Sequence, residues 1–346
     1  MELWKELLQQ SITTPEQLRH QLGRNFNVSQ DVIANFPMRI NPYFFNLIEY
    51  PGDPIWKQCI PDQLELDDEV CIPDPLGEED LSPVPNLVHK YPNRVLLLAC
   101  NQCAMYCRFC TRKRKVGTER MQINQSTLQL AYDYLRQHPE VCDVLISGGD
   151  PLLLDDEYLD DILGNLRAIP SVKMIRLGTR IPSVLPMRIT KRLVTILKKY
   201  HPLYINTHFN HPRELTEEAR LACNRLADAG IPLGCQTVLL KGVNNNVDVL
   251  KDLFQTLLYM RVKPYYLFQS DLTKGVNHFR TSSRDGISLV KQLYGHLSGM
   301  AIPSFVLDAP GGKGKIPLTP QFILRSDPEL LTFENYQGEL CEYPEA

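Results

Sequence analysis

Residues 95–110, with the sequence VLLLACNQCAMYCRFC, join a short apolar run to a loop in which cysteines lie unusually close together. The run Val95–Cys100 is the first of several, and they alternate with stretches in which apolar residues recur three or four positions apart. Strand and helix patterns that alternate over short loops predict parallel βα units. The later runs are Val144–Ile146, Met174–Leu177, Leu203–Thr207, Leu233–Leu240, Tyr265–Phe268 and Phe305–Leu307, and the helical stretches are Ser126–Gln137, Asp156–Ile169, Thr190–Tyr200, Thr216–Ala229, Asp248–Met260 and Gly286–His296.

Six or seven such units fit one barrel or partial barrel better than two doubly wound sheets. We therefore predict an α/β fold: a partial (β/α)6-type barrel similar to the TIM barrel, with an N-terminal helical wrap and a short C-terminal extension. The wrap covers residues 1–93, where helical patterns at Trp4–Leu8 and Thr14–Leu22 precede a Pro-rich stretch. The barrel covers residues 94–300, and residues 301–346 form the C-terminal segment.

The composition excludes several classes of protein. The 346 residues include 37 Lys and Arg and 40 Asp and Glu, and 43% of the residues are hydrophobic. These values argue against a disordered chain and against nucleic-acid binding through net charge. No apolar run approaches the roughly 18–20 residues that span a bilayer, and the first residues lack the pattern of a signal peptide. We expect a cytoplasmic protein that has neither a membrane nor a nucleic acid as partner.

Polar residues follow the apolar runs at the points where the predicted strands end. In barrels of parallel strands, catalytic residues gather at the C-terminal ends of the strands. The sequence therefore predicts an active site at this rim. The segments concerned are Cys100–Cys103, Ser147–Asp150, Gly178–Arg180, His208–Asn210, Gln269–Asp271 and Asp308–Pro310.

The spacing of Cys103, Cys107 and Cys110 is C-x3-C-x2-C. Three thiolates on one tight loop can hold three irons of a [4Fe–4S] cluster and leave the fourth iron open. With Cys100 included, a four-thiolate zinc site or a closed electron-transfer cluster is an alternative. Zinc is disfavoured because only three residues separate the two C-x2-C halves, against roughly 15–20 in a usual four-cysteine site. A fourth cluster ligand is disfavoured because Cys100 still belongs to the apolar run.

The motif Cys103–Cys110 resembles the signature of the radical S-adenosylmethionine superfamily, and Ser147–Asp150 resembles its glycine-rich patch. A longer similarity, from Ser82 to Lys315, is to the lysine 2,3-aminomutases. The matching segments are Ser82–Pro85, His89–Arg94, Cys103–Arg112, Asn206–Asn210, Pro264–Tyr266, Gln269–Asp271 and Asp308–Gly312.

The resemblance implies three cofactors: a [4Fe–4S] cluster, S-adenosylmethionine and pyridoxal phosphate. The cluster ligands would be Cys103, Cys107 and Cys110. The residues that would contact S-adenosylmethionine are Ser147, Gly148, Gly149, Asp150, His208 and Gln236. Lys315 matches the lysine that binds pyridoxal phosphate, with Arg94 and Lys90 near the phosphate. Lys313 stands where the family commonly has glycine, and Lys90 where arginine is more usual.

The resemblance also implies the substrate and the reaction. Arg112 would bind the α-carboxylate of an amino acid, and Asp271 and Asp308 would receive the distal ammonium of lysine. The implied reaction is an isomerisation in which a radical forms at C3 of L-lysine and the amino group moves from C2 to C3, giving L-β-lysine. A small amino acid and an external electron donor, such as flavodoxin or ferredoxin, are the implied partners.

Other functions stay open at this point. The carboxylate pair accommodates arginine as well as lysine, and a shorter branch of the family modifies a lysine of a translation elongation factor. An iron–sulfur electron carrier with a closed cluster is the non-enzymatic alternative. The chain departs from relatives that bind a structural zinc, because it lacks their C-terminal cysteine cluster and has Asn246 where some place another cysteine. A homodimer formed through other contacts remains compatible with these departures.

Overall fold

A computed structural model describes residues 2–23 and 30–345 of the chain. Its main feature is a nine-stranded sheet in which every strand pairs with its neighbours in chain order. The strands of this sheet are β1 (Leu87–Tyr91), β2 (Arg94–Cys100), β3 (Asp143–Gly148), β4 (Met174–Gly178), β5 (Leu203–Thr207), β6 (Leu233–Leu239), β7 (Lys263–Gln269), β8 (Ser304–Ala309) and β9 (Gly314–Pro317).

The sheet curls into a nearly closed barrel. Strands β2 to β8 are parallel, while β1 and β9 run antiparallel at the two edges. The edges approach each other, since the backbone N–H of Lys315 in β9 donates to the hydroxyl of Tyr91 in β1 at 3.2 Å. The predicted α/β barrel is confirmed. Strand β1 lies within the range assigned to the wrap and β8 within the C-terminal segment, so the sheet extends past both predicted boundaries.

Helices connect the parallel strands and cover the outer face of the sheet. The helices within the described residues are α1 (Leu3–Gln9), α2 (Pro15–Leu22), α3 (Gln30–Asn35), α4 (Pro42–Phe45), α5 (Pro54–Cys59), α6 (Gln125–Gln137), α7 (Asp156–Arg167), α8 (Ile181–Val184), α9 (Lys191–Lys198), α10 (Glu217–Asp228), α11 (Val247–Tyr259) and α12 (Ser283–Lys291). Asn246 begins α11 as its cap, because its side chain accepts from the N–H groups of Asp248 and Val249 at 2.9 and 3.3 Å.

The N-terminal wrap is attached to the cysteine loop by a buried charge network. Glu65 of the wrap is fully buried and accepts from Arg108 at 2.6 Å and from Lys113 at 2.7 Å. Arg108 lies between two of the predicted cluster cysteines, and it also donates to the carbonyl oxygens of Phe36 and Pro37. The wrap therefore fixes the position of the loop that carries the cysteines.

The C-terminal segment contains a second, antiparallel sheet that the sequence patterns do not predict. Its strands are β10 (Ile323–Ser326), β11 (Leu330–Glu334) and β12 (Leu340–Pro344). Every residue of β10 is exposed. In the described part of the chain, no helix combines the length and apolar character needed to cross a membrane.

Candidate active site

The cysteine loop leaves β2 at the C-terminal rim of the barrel. Backbone N–H groups of the loop bond to the wrap, with Tyr106 donating to Arg39 and Arg108 to Gln58, each at 2.9 Å. Cys103, Cys107 and Cys110 are free thiols of intermediate exposure. Burial raises the pKa of Cys103 and Cys110, the latter to about 11. The thiols of Cys103 and Cys110 are thus neutral at pH 7, and binding of iron would release their protons.

Cys100 differs from these three cysteines. It is buried at the end of β2, and its thiol donates to the carbonyl oxygen of Gln102 at 3.4 Å. Across residues 2–23 and 30–345, no group of three or more His, Cys, Asp or Glu side chains is arranged to hold a single metal ion. A [4Fe–4S] cluster places each thiolate on a different iron, so its fit depends on the donor set, and three soft thiols on one loop suit it.

Arg180 contacts the cysteine loop from the end of β4. Its Nη1 donates to Sγ of Cys107 at 2.9 Å, and its Nη2 donates to Glu214 at 2.9 Å and to Gln58 at 2.6 Å. Sequence analysis placed Arg180 on the rim without a role. The sequence shows a cation at the end of a strand, but it does not show that this cation contacts Cys107, which belongs to a different loop.

Gly148 and Gly149 bring the end of β3 against the start of the cysteine loop. A Cβ on Gly148 would lie 2.1 Å from the carbonyl oxygen of Cys100, and one on Gly149 would lie 2.2 Å from that of Gln102. The Gly149 N–H donates to Cys100 at 2.5 Å. Gly148 also has a φ of 131°, in the region that favours glycine. These positions therefore require glycine for a close backbone contact next to the cysteines.

The other residues predicted to contact S-adenosylmethionine lie around the same rim. Ser147 precedes the glycines in β3, and the Asp150 carboxylate is buried, accepting from the Thr179 hydroxyl and the Arg180 N–H at 2.7 Å each. Asp150 thereby joins the ends of β3 and β4. Gln236 lies on β6 and donates to the Tyr265 hydroxyl.

His208 follows β5 and faces the cysteine loop. Its ring lies edge-on to Phe109 with the ring centres 5.6 Å apart, and its Nε2 is 2.9 Å from Oδ1 of Asn210. Burial, with Arg180 nearby, lowers the pKa of His208 to about 4. The imidazole is therefore neutral at pH 7.

Lys315 and Lys90 converge on Asp308. Their Nζ atoms lie 3.2 and 3.4 Å from Oδ1 of Asp308, which is buried at the end of β8. Lys313, by contrast, is exposed. Arg94 stacks on the Tyr91 ring, with Cζ 3.9 Å from the ring centre. Because the Tyr91 hydroxyl bonds to Lys315, the structure brings the predicted pyridoxal phosphate residues to one side of the barrel.

Asp271 is a carboxylate without an ion-pair partner among the described residues, and its buried Oδ1 has no hydrogen-bond partner there. Burial and the neighbouring Asp308 raise its pKa to about 7, although Lys315 and Lys90 oppose the shift. Both aspartates line a cavity of about 520 Å³, together with Gln269, Ser270 and Leu307. Arg280 and Arg284 also line the cavity, so the atom that is open to a cationic group is Oδ1 of Asp271, which has no partner among the described residues.

Arg112, the residue predicted to bind a carboxylate, is paired with Glu78. Its Nε lies 2.9 and 3.0 Å from the two carboxylate oxygens, and its Nη2 lies 2.6 Å from Oε1. Glu78 is buried. Sequence analysis missed Glu78, which stands in an acidic stretch of the wrap, because charge alone did not distinguish it from its neighbours.

Comparison with known proteins identifies the family of this chain. Residues 97–253 match the radical SAM superfamily and residues 290–346 match the family described as Lysine-2,3-aminomutase. The chain is 46% identical over 348 residues to the L-lysine 2,3-aminomutase of Clostridium subterminale, covering 99% of this chain and 84% of the relative. The chain belongs to the lysine 2,3-aminomutase family.

Two further relatives show the range of this family. The L-lysine 2,3-aminomutase of Fusobacterium nucleatum subsp. nucleatum is 50% identical, with 89% of this chain and 73% of the relative covered. The Glutamate 2,3-aminomutase of Clostridioides difficile is 45% identical, with 90% and 75% covered. Sequence identity within the lysine 2,3-aminomutase family therefore does not decide between a cationic and an anionic substrate. That choice has to be argued from the charged residues of the site.

Membership of the radical S-adenosylmethionine superfamily implies a [4Fe–4S] cluster and S-adenosylmethionine. The residues present fit both groups, because three free thiols on one loop offer iron ligands and the glycine-only end of β3 packs directly beside that loop. The cationic side chains of Lys90 and Lys315 likewise suit a phosphorylated aldehyde.

Proposed function

We propose that this protein is an L-lysine 2,3-aminomutase, which interconverts L-lysine and L-β-lysine by moving the amino group between C2 and C3. The observation that carries the proposal is Asp271, a carboxylate whose Oδ1 has no partner in the described structure and which shares its cavity with Asp308. A cationic side chain would satisfy this charge. A glutamate side chain would instead place a second carboxylate against Oδ1 of Asp271, at a cost in Coulomb repulsion.

In this proposal, Cys103, Cys107 and Cys110 hold three irons of the cluster. When bound, S-adenosylmethionine would supply the radical that removes hydrogen from C3, and pyridoxal phosphate would supply the π bond through which nitrogen migrates. Arg180 stabilises the thiolate of Cys107 by donating to its sulfur. Ser147, Gly148, Gly149, Asp150, His208 and Gln236 form the S-adenosylmethionine side of the site.

Lys315 is the lysine that binds pyridoxal phosphate, with Lys90 and Arg94 on the phosphate side. Its proximity to Asp308 favours it over exposed Lys313. Lys90 keeps the positive charge where arginine is more usual but cannot make a two-bond contact with phosphate, so we expect weaker retention of the cofactor.

The remaining residues orient the substrate. Arg112 holds the α-carboxylate at one end of the site, and Asp271 with Asp308 holds the ε-ammonium at the other. Binding at both ends fixes C3 relative to the radical source and limits access of solvent, which is the contribution of positioning to this reaction. Arginine has a cationic side chain too, so it is the competing substrate to test.

The function is tested with protein reconstituted anaerobically with iron, sulfide and pyridoxal phosphate, then given a reductant and S-adenosylmethionine. Products from L-lysine, L-arginine and L-glutamate are separated by chromatography. We expect β-lysine and no β-isomer of the other two. Cleavage of S-adenosylmethionine with no rearranged amino acid would overturn the substrate assignment and point to a lysine on a protein.

The physiological partners are part of the same proposal. A flavodoxin or ferredoxin would replace the chemical reductant, and reduction by either protein can be followed through the cluster spectrum. Cytoplasmic location and a homodimer stay predictions, to be checked by cell fractionation and by light scattering.

A further inference from the structure

Glu78 contacts the edge of Arg112 that lies nearer its side-chain stem. The guanidinium group presents a Nε/Nη2 edge and a Nη1/Nη2 edge, and each can bind a carboxylate through two hydrogen bonds. Glu78 occupies the first edge through Nε and Nη2. In the described part of the chain Nη1 has no hydrogen-bond partner. One carboxylate-binding edge of Arg112 is thus taken and the other is available.

We infer that Glu78 is a positioning residue: it holds Arg112 by the Nε/Nη2 edge so that the Nη1 edge faces the α-carboxylate of the substrate. This inference rests on the proposed function and adds a residue to it. A planar guanidinium held by two atoms cannot rotate about its stem, and the direction of its remaining N–H groups is therefore set before the substrate arrives.

The backbone around Glu78 is itself anchored on both sides. Its carbonyl oxygen accepts from the Ser82 hydroxyl at 2.6 Å, which fixes the following turn. Before it, the carbonyl of Pro75 accepts from the N–H of Gly311 at 2.8 Å. Gly77 lies so near that a Cβ would be 3.2 Å from the Gly311 carbonyl carbon. Glu78 is thus held between the cysteine loop and the turn that precedes Lys315.

Glu78 also determines which charged side chains of the site are paired with each other. Asp308 binds both Lys90 and Lys315, whereas Asp271 has no ion-pair partner among the described residues. Arg112 is a largely buried cation. Glu78 lies near enough to Asp271 to contribute to its raised pKa. With Glu78 as its counter-ion, Arg112 has no need of Asp271. The aspartate then remains free for the distal ammonium.

Two other roles for Glu78 predict different effects of its removal on ligand binding. If it occupied the place of the substrate α-carboxylate, its removal would strengthen lysine binding. If it served only to fold the loop, its removal would weaken every ligand equally. Positioning of Arg112 predicts a loss that is confined to ligands with an α-carboxylate.

The test compares L-lysine with L-lysinamide, which keeps both amines but lacks the carboxylate. Binding is followed by the absorbance change of pyridoxal phosphate in the reconstituted protein, without S-adenosylmethionine. For Glu78→Gln we expect about tenfold weaker binding of L-lysine, the effect of losing one charge-assisted hydrogen bond, and less than about twofold change for L-lysinamide. Glu79→Gln is the matched control, because Glu79 is 54% exposed and pairs with Lys115 and with Arg114, which lies farther from Glu78, at 4.0 Å. It should leave both ligands within about twofold.

Glu78→Asp provides a second variant that keeps the charge but withdraws the carboxylate by one methylene. It carries the test if Glu78→Gln does not fold, and it should weaken L-lysine selectively as well. An equal loss for both ligands, or tighter binding of L-lysine, would overturn the inference while the proposed function stands. Failure of the unaltered protein to respond to L-lysine at all would overturn the proposed function and this inference together.

Discussion

Lys313 and Lys315 have the same chemistry but different surroundings. Lys313 lies in the glycine-rich turn after β8 and Lys315 in β9, which follows it, and only Lys315 places its amine beside a buried carboxylate and over the ring of Phe268. An amine in this position is directed into the barrel, whereas the amine of Lys313 is in solvent. The distinction between them is therefore one of position.

The first prediction concerns these two lysines. Lys315→Ala should remove the absorbance of bound pyridoxal phosphate and leave the iron–sulfur spectrum in place, because the amine that is lost contacts Asp308 and Phe268 and is not one of the proposed cluster ligands. Lys313→Ala should keep both signals. Spectra of the two reconstituted variants decide the matter, and a band that survives in Lys315→Ala would move the assignment to Lys313.

The second prediction concerns the pH dependence of lysine binding. Asp271 has a pKa raised to about 7 and is surrounded by Asp308, Lys315, Lys90 and Glu78. Below pH 7 it is protonated and must release a proton to bind an ammonium group. Affinity for L-lysine relative to L-norleucine, which lacks that group, should fall about tenfold per pH unit below pH 7 and level off above it.

The comparison with L-norleucine removes the pH dependence that both ligands share through their α-amines. Asp271→Asn should bind the two amino acids with a ratio that does not change between about pH 5.5 and 8.5. Absorbance titrations at several pH values provide the measurement. A sloping ratio in the variant would show that another group is responsible.

Single residues at strand ends could be predicted from the sequence because the strand pattern locates the rim. Asp271 and Asp308 were located in this way, whereas the choice of Lys315, and the proposed roles of all three residues, came from the family resemblance. Glu78 and the role of Arg180 could not be found, since each acts through a side chain on a distant segment. Such pairs depend on how segments pack, and no local pattern carries that information.

At the scale of elements, the close approach of β3 to the cysteine loop is the feature on which the rim depends. Gly148 pairs with Cys100 in the parallel register of β2 and β3, and the next hydrogen bond continues past the end of the sheet. The strand end and the loop thus form one backbone unit. A side chain introduced there would have to displace main-chain atoms.

The third prediction follows from this contact. Gly148→Ala should destabilise the protein by about 3 kcal/mol and reduce the iron retained after reconstitution, because the new Cβ overlaps the Cys100 carbonyl oxygen at an unfavourable φ. Gly164→Ala is the matched control, since Gly164 lies within helix α7 and its Cβ would make only an ordinary 3.6 Å contact. It should stabilise the protein by up to about 1 kcal/mol.

Urea denaturation and iron analysis of both variants provide the measurement. Normal iron content in Gly148→Ala would mean that the loop can shift without losing its cysteines. The same variant with normal stability as well would contradict the tight contact itself.

The elements that sequence patterns predicted are those with a long periodic signal. Strands β2 to β8 were located to within a few residues, and so were helices such as α6 and α10. Strands β1 and β9 to β12 were missed because they are short and mostly lie at edges or on the surface, where alternation is weak. These segments form strands because they pair with neighbouring strands, and their own residues give only a weak strand pattern.

For the whole molecule, the wrap and the barrel are joined through buried charge as well as apolar packing. Glu65 serves two cations at once, and Lys113 also donates to the carbonyl oxygens of Arg108 and Gly275. Burial lowers the pKa of Lys113 to about 8 despite the attraction of Glu65. Loss of the Glu65 carboxylate would therefore take the counter-ion from both of these buried cations.

The fourth prediction tests this connection. Glu65→Gln should lower the free energy of unfolding by about 3–5 kcal/mol, because two buried cations lose their counter-ion. Glu16→Gln, which removes an exposed carboxylate paired with Arg19, should change it by less than about 0.5 kcal/mol. Urea denaturation of the two variants compares them, and a small effect at Glu65 would show that water reaches the network.

Asp308 connects the first and last strands of the barrel, because Lys90 comes from β1 and Lys315 from β9. The amine proposed to carry pyridoxal phosphate is therefore also one of the two amines that close the seam. Attachment of the cofactor withdraws that amine from its ion pair, so cofactor loading and barrel closure compete for one nitrogen. The amide hydrogens of β1 and β9 should consequently exchange at different rates before and after pyridoxal phosphate is bound. Tyr91 lies at this seam, so the exchange of its amide hydrogen would show whether the two strands are held together.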